Sequence, residues 1–336
     1  MDKKTKNILT TVFWGLVAVV LVWFCFKSVD WVQFRAALDV CRWEWVLLSI
    51  LLGVLCLYFR GIRWRMLLYP FDPAVSRIHC FDAYNLCMAV NLALPRAGEI
   101  VRMGCVVKHS ETDENGRRRL SFDKALGTVI TERVWDMLVV MGLGAIVLLL
   151  MWKRYGAAAE ENVSELGHSA AFWWTLGGLV LLGIVLVATL WLLRNKGGFW
   201  SKVWGFVVGI GKGIGSFRHM RHSWLFLLFT AVIWMVYWLM SACILWALRD
   251  IPAFASLTMV DAFVLMIAGS FSSIIPVPGG FGAYHTVVAG ILSRVWAVPM
   301  GTGMVYATLN HESQVLVYAI CGLGSYLHNN FFSRKK

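Results

Sequence analysis

Apolar positions along this chain fall into long, nearly unbroken runs rather than the one-sided stripes of a soluble helix. Six of these runs approach about 20 residues, the length that crosses about 30 Å of hydrocarbon at about 1.5 Å per residue. They predict spanning helices over residues 8–26, 45–64, 125–151, 172–193, 224–248 and 300–328. The first follows Lys3, Lys4 and Lys6 in the manner of a secretion signal, but its apolar run is long and no small-residue cleavage site follows Phe26, so it reads as retained. Two further apolar runs are too short to span. Residues 81–94, closed by Pro95, and 260–275, closed by Pro276, cover only roughly 21 and 24 Å. Each is followed by a Pro/Gly break and a second short helical stretch, which predicts re-entrant hairpins over 81–108 and 260–297. Stretches 28–42 and 198–222 mix Trp, Phe and Val with polar and basic residues, as helices lying in a membrane interface do.

The order of elements repeats. Split near residue 160, each half reads span, interfacial stretch, span, short broken helix, span. Local letters follow: Asp82 to Leu86 (DAYNL) parallels Asp261 to Leu265 (DAFVL), Ala97 and Gly98 parallel Gly279 and Gly280, and Glu132 falls opposite Glu312. Three spans per half is an odd number, so the second half enters from the opposite face and the repeat has inverted topology. The expected fold is one all-α polytopic membrane domain, with repeats over 1–160 and 161–336, six spans and two re-entrant hairpins.

Composition agrees. The chain is 59% hydrophobic with 15% charged residues and 18 Trp, and its mean hydropathy is +0.67, whereas a soluble domain carries about a quarter charged residues. A net charge of +12 would suggest nucleic acid in a soluble protein. Here the excess sits between apolar runs, in segments 3–6, 60–77, 108–124, 194–221 and 334–336, which the positive-inside rule places in the cytoplasm of a bacterial-type inner membrane together with both termini. Glu160, Glu161 and Glu165 are expected outside. A basic inner surface favours anionic lipid head groups. The eight cysteines form no C-x-x-C pair and read as packing residues; His219 and His222 are three apart without a third ligand nearby, so no metal or cofactor is expected.

Charges inside apolar regions are the candidate chemistry, because a membrane-buried charge is costly and faces a cavity or a partner. Pro95 breaks the first hairpin, Gly98 permits close backbone approach, and the free N–H groups of the returning helix would join Arg96 at the tip in an anion site. Glu99 and Arg102, three apart, share a helical face. Further on, Glu132 and Asp136 face one way and Arg133 is offset by about 100°. These six residues either line a polar substrate path or form structural ion pairs such as Glu132 with Arg102 or Arg96 with Asp136. The second break, with Pro276, Pro278, Gly279, Gly280 and Gly282, is rich in backbone. Its amides and the hydroxyls of Ser270, Ser272 and Ser273 would line a pathway or grip a head group, or else the glycines let two hairpin tips touch. His285, His311 and Glu312 are candidates for a proton relay, since histidine titrates near neutral pH.

Together, P-R-x-G-E-x-x-R at Pro95 to Arg102, E-R-x-x-D at Glu132 to Asp136 and P-x-P-G-G-x-G at Pro276 to Gly282 resemble the lysylphosphatidylglycerol synthase transmembrane-region family, also called the flippase-like family. The resemblance covers roughly residues 45–327. It implies a membrane domain associated with moving a modified lipid between leaflets, found alone or fused to a cytoplasmic aminoacyltransferase domain. No such domain is expected in this chain, so lipid synthesis does not carry over. One position departs: the family commonly places Glu three residues after the last Gly of the third motif, where this chain has His285.

The expected function is a non-enzymatic lipid transporter of flippase type for an anionic or aminoacylated phospholipid or a polyprenyl-phosphate-type lipid, with a lipid-synthesising enzyme as a candidate partner and no nucleic acid. Arg96, Arg102 and Arg133 would meet the anionic head group while Glu99, Glu132 and Asp136 position them. No nucleotide-binding motif accompanies them. The rival readings are a membrane-embedded transferase using Asp30, Asp39 or Glu99 as base, and a non-transporting partner of an envelope enzyme.

Overall fold

A computed structural model describes residues 31–168 and 223–329 apart from 113, 115, 117, 274 and 276, and also Thr189 and Leu192; for 152–168 it describes the helical backbone. The span expected at 8–26, that at 172–193 apart from Thr189 and Leu192, and the interfacial stretch at 198–222 lie outside the described residues. The described chain is all-helical, with one isolated bridge between Thr112 and Arg118. In order, the helices are α1 (Trp31–Asp39), α2 (Trp43–Leu68), α3 (Arg77–Ala93), α4 (Gly98–Lys108), α5 (Phe122–His168), α6 (Ser223–Ala247), α7 (Met259–Ser272), α8 (Ala283–Trp296) and α9 (Met300–Leu327).

Three stretches are long and apolar enough to cross a membrane: α2, Phe122–Met151 of α5, and α6. Each exceeds the roughly 20 residues that the hydrocarbon core requires. They expose apolar side chains, Leu47, Leu51 and Leu55 on α2 and Met141, Leu148 and Leu149 on α5 among them, which water does not favour and lipid covers. The last expected span does form a helix of 28 residues, α9, but the polar run from Asn310 to Gln314 at its centre keeps it out of the apolar set.

Two charged segments are helical. Arg60, Arg63 and Arg65, counted above as part of a basic loop, lie inside α2, which runs on to Leu68. Segment 160–165, whose acidic residues are expected outside, continues the 47-residue helix α5.

The helices divide into two compact units, Met1–Val129 with His222–Lys336, and Ile130–Arg221. The first unit therefore gathers elements from both sequence halves. In the second, the described structure is chiefly the continuation of α5.

Within the first unit α2 and α6 run antiparallel. The Arg42 amide donates to the Ala247 carbonyl at 2.9 Å, and at the other end the Arg63 guanidinium donates to Thr230 Oγ1 at 3.3 Å. Beyond the first of these ends, the Arg42 guanidinium donates two hydrogen bonds of 2.7 Å to the Asp250 carboxylate. That pairing holds the Asp250 carboxyl below the usual carboxylate range. A depressed folded pKa means the pair supports folding above the ordinary aspartate pKa of about 4 and loses that support as pH falls through the depressed value. Solvent screens an exposed pair. Asp250→Asn should therefore leave a small decrease in melting temperature at pH 7 that vanishes in acid, and an equal difference at both pH values would remove the pair from the account.

The remaining termini follow local rules. Ser76 caps α3 by accepting from the His79 amide at 3.1 Å. Thr258 and Asp261 form a reciprocal capping box at the start of α7. Ala297, at φ 53°, closes α8 in the left-handed conformation, and Pro299 caps the next helix. The two matched pentapeptides do different work: Asp82 pairs with His328 Nδ1 at 2.7 Å, whereas Asp261 serves its own helix end.

Candidate functional site

α3 and α4 form the first expected hairpin. Leu94 is extended and Pro95 cannot continue the helix, so the chain turns at Arg96, whose φ is 62°. The returning helix starts at Gly98, whose amide donates to Asn91 Oδ1 at 2.9 Å. One of the N–H groups expected to face an anion is thus taken by a side chain of the preceding helix. Gly98 sits where no side chain fits: an ideal Cβ there lies 2.0 Å from the Cys87 carbonyl oxygen. Arg96 itself is exposed at the tip.

The second hairpin is α7, a short turn at Pro278–Gly280, and α8. Gly279, Gly280 and Gly282 have φ of 59°, 80° and 84°, a region nearly closed to other residues. They let the chain reverse between Ser272 and Ala283 and come close to the first hairpin. An ideal Cβ on Gly279 lies 3.4 Å from the Leu92 carbonyl oxygen, so the two tips meet backbone to backbone. Pro278 is buried, and Pro276 lies outside the described residues. The serine expectation is corrected: Ser270, Ser272 and Ser273 donate to the carbonyls of Met266, Gly269 and Ser270 at 2.9, 2.6 and 2.6 Å. Their hydroxyls serve their own helix end.

Glu99 and Arg102 do pair, with Arg102 Nε 2.6 Å from Glu99 Oε2. Arg102 is fully buried, its guanidinium 4.6 Å from the Trp64 ring centroid and 5.1 Å from that of Tyr84. Tyr84 also receives Arg60 at 5.0 Å, and Arg60 hydrogen-bonds the Tyr237 hydroxyl. Arg63, fully buried as well, lies 5.5 Å from the Phe226 ring. Guanidinium groups stacked on aromatic faces remain charged with part of their hydration replaced by the rings. Sequence reading missed Arg60, Arg63 and their aromatic partners. A signal was present in the interleaving of Phe59, Arg60, Arg63 and Trp64, which places bases and rings on one helix end.

On α5, Glu132 is buried, Asp136 half-buried and Arg133 exposed, the order expected from a 100° step per residue. They belong to the second compact unit.

The three relay candidates converge although they come from two helices. His311 Nδ1 is 3.0 Å and His285 Nε2 3.7 Å from Glu312 Oε1, and His311 Nε2 is 2.8 Å from the Gly279 carbonyl oxygen. Tyr284, next to His285, packs its ring over Gly269 and 5.2 Å from the His311 ring.

No curated protein and no solved structure shows a significant match to the chain. A family model does match, over residues 12–322, and this span takes in both hairpins, the buried Glu99–Arg102 pair and the histidine cluster. The chain belongs to the family described as the lysylphosphatidylglycerol synthase TM region and is an integral membrane protein.

Proposed function

We propose that this protein moves a lipid with an anionic head group between membrane leaflets without changing it chemically. Family membership points to a membrane lipid-related function. The observation that carries the transport reading is the meeting of two interrupted helices at Leu92 and Gly279, flanked by the buried pair of Glu99 and Arg102 on one hairpin and by His285, His311 and Glu312 beside the other. Broken helices with polar groups where their ends face each other are how membrane carriers place a substrate site inside the bilayer. Six spans in two inverted repeats, with both termini in the cytoplasm of a bacterial-type inner membrane, complete the proposal and let one repeat move against the other.

In this reading Arg96, exposed at the first tip, meets the head group first, and Arg102 holds it deeper. Glu99 orients Arg102. An anionic lipid carrying a cationic group would bring both signs of charge to such a site, and this favours an aminoacylated or zwitterionic head group over a neutral one.

The test is the leaflet accessibility of fluorescent and aminoacylated phospholipids in proteoliposomes, comparing the native chain with Arg96→Ala. Loss of one charge-assisted contact is expected to slow redistribution roughly tenfold. Rates equal to those of empty liposomes across lipid classes would overturn the transport reading. A covalent change in the recovered lipid would make the protein an enzyme instead.

A further inference from the structure

We propose that His285, His311 and Glu312 form a binding site for a divalent transition-metal ion of the zinc class. His285 lies in the first turn of α8, His311 and Glu312 in the middle of α9, and the Pro278–Gly280 turn closes over them. One ligand atom from each residue lies within 4.8 Å of the others. Ligands held 2.0 to 2.2 Å from a tetrahedral zinc stand about 3.3 Å apart. The spacings of Glu312 Oε1 to His311 Nδ1 and to His285 Nε2, 3.0 and 3.7 Å, straddle that figure.

The tautomer of His311 decides what this arrangement requires. A backbone carbonyl only accepts, so the 2.8 Å contact between His311 Nε2 and the Gly279 oxygen places a proton on Nε2. In the neutral ring Nδ1 is then a bare lone pair. It faces the Glu312 carboxylate at 3.0 Å, so two acceptors confront each other unless a positive charge lies between them. A proton on Nδ1 satisfies that pair alone. A metal ion satisfies it and also takes the third donor, His285 Nε2, which approaches the same carboxylate oxygen.

The surroundings suit a metal in two further ways. A ligating histidine ordinarily donates its other N–H to a carbonyl or carboxylate, which fixes ring orientation, and the Gly279 carbonyl fills that role here. His285 and His311 are buried, whereas the Glu312 side chain is 39% exposed, which leaves the ion a way in and an open coordination position for water. Two imidazoles and a carboxylate select zinc-class ions over magnesium or calcium, whose preferred ligands are all oxygen. Bound there, the ion would tie the turn of the second hairpin to α9 through His311 and Gly279, independently of what the protein transports.

The experiment uses the full-length, tag-free protein in detergent, with His219→Gln and His222→Gln introduced throughout so that this sequence pair contributes no ligands. After chelator treatment, Zn2+ uptake is measured by equilibrium dialysis and the site is read by zinc-edge X-ray absorption and by the visible spectrum of the Co2+ form. The expected result is a single ion with two imidazole scatterers, and affinity reduced on the order of 100-fold or more by His285→Gln and by Glu312→Gln. Glu312→Gln keeps the side-chain size at a partly exposed position. The unmutated site also gives the absorption signature without relying on any variant's folding. Zinc uptake that is absent, lacks imidazole scatterers, or persists unchanged in both variants would overturn the site; in the first of these cases the cation between His311 and Glu312 is a proton.

Discussion

A single methyl group added at Gly98 is expected to destabilise the folded protein by about 3 kcal/mol or more, at the upper end of overpacking costs. An ideal Cβ there would sit 2.0 Å from the Cys87 carbonyl oxygen, 2.7 Å from Asn91 Oδ1 and 2.8 Å from the Cys87 carbonyl carbon. The nearest obstacle is backbone in the middle of α3, which cannot rotate aside as a flexible side chain can. α3 is itself fixed to α9 and its C-terminal end, through Asn85 Nδ2 to Ser325 Oγ at 2.9 Å and Asp82 to His328 at 2.7 Å. Relief therefore requires the whole of α4 to move away from α3, opening the first hairpin. Thermal unfolding of Gly98→Ala in detergent measures the effect, with Asn91→Ala as the companion variant. The latter removes the side-chain acceptor of the Gly98 amide without adding volume and should cost about 1 kcal/mol, as the loss of a helix cap does. Equal melting of Gly98→Ala and the native chain, or a larger loss in Asn91→Ala, would show that close backbone packing is not what holds the hairpin.

The second large effect belongs to Arg102. Replacing it with Gln removes a fully buried guanidinium from Glu99 and from two aromatic faces, Trp64 and Tyr84. Breaking one side of a buried ion pair costs about 3 to 5 kcal/mol; Glu99 retains 20% exposure, which puts the expectation near 3. Arg102→Lys is not expected to rescue it, because an ammonium has neither the planar face for the rings nor the fork for the carboxylate. A double-mutant cycle with Glu99→Gln separates structure from transport. Removing both charges should restore much of the stability, since neither is left uncompensated. If Arg102 holds the head group, lipid redistribution stays lost in the stable double variant. Recovery of redistribution together with stability would confine the pair to holding the hairpin.

Both predictions concern one hairpin because that is where local sequence and long-range packing meet most tightly. Pro95 stops α3 wherever that helix lies, and this can be read from the residue alone. What makes Gly98 irreplaceable is the Cys87 carbonyl, eleven positions earlier, and that follows only from the angle at which the two helices pack. The serines of the second break illustrate the converse. Ser270, Ser272 and Ser273 looked available to a ligand, but a backbone carbonyl three or four positions earlier is nearer than any ligand, and each hydroxyl donates to one.

Hydropathy and backbone constraint are sums over neighbouring residues, so the sequence by itself determined the helical class, the apolar character and the two breaks in the short helices. Where the sequence predicts broken helical stretches, over 81–108 and 260–297, the structure has helix pairs over Arg77–Lys108 and Met259–Trp296. The choice of partners was decided only by the tertiary structure. Arg60 and Arg63 were legible as charge but not as members of a buried aromatic stack, because Tyr84, Phe226 and Tyr237 reach them from other helices. His285 stands 26 positions before His311, and nothing in that spacing brings their rings to 5.0 Å. The turn at Gly279 and the antiparallel return of α9 against α8 do so, and they bring the ligand atoms of His285, His311 and Glu312 within 4.8 Å of one another.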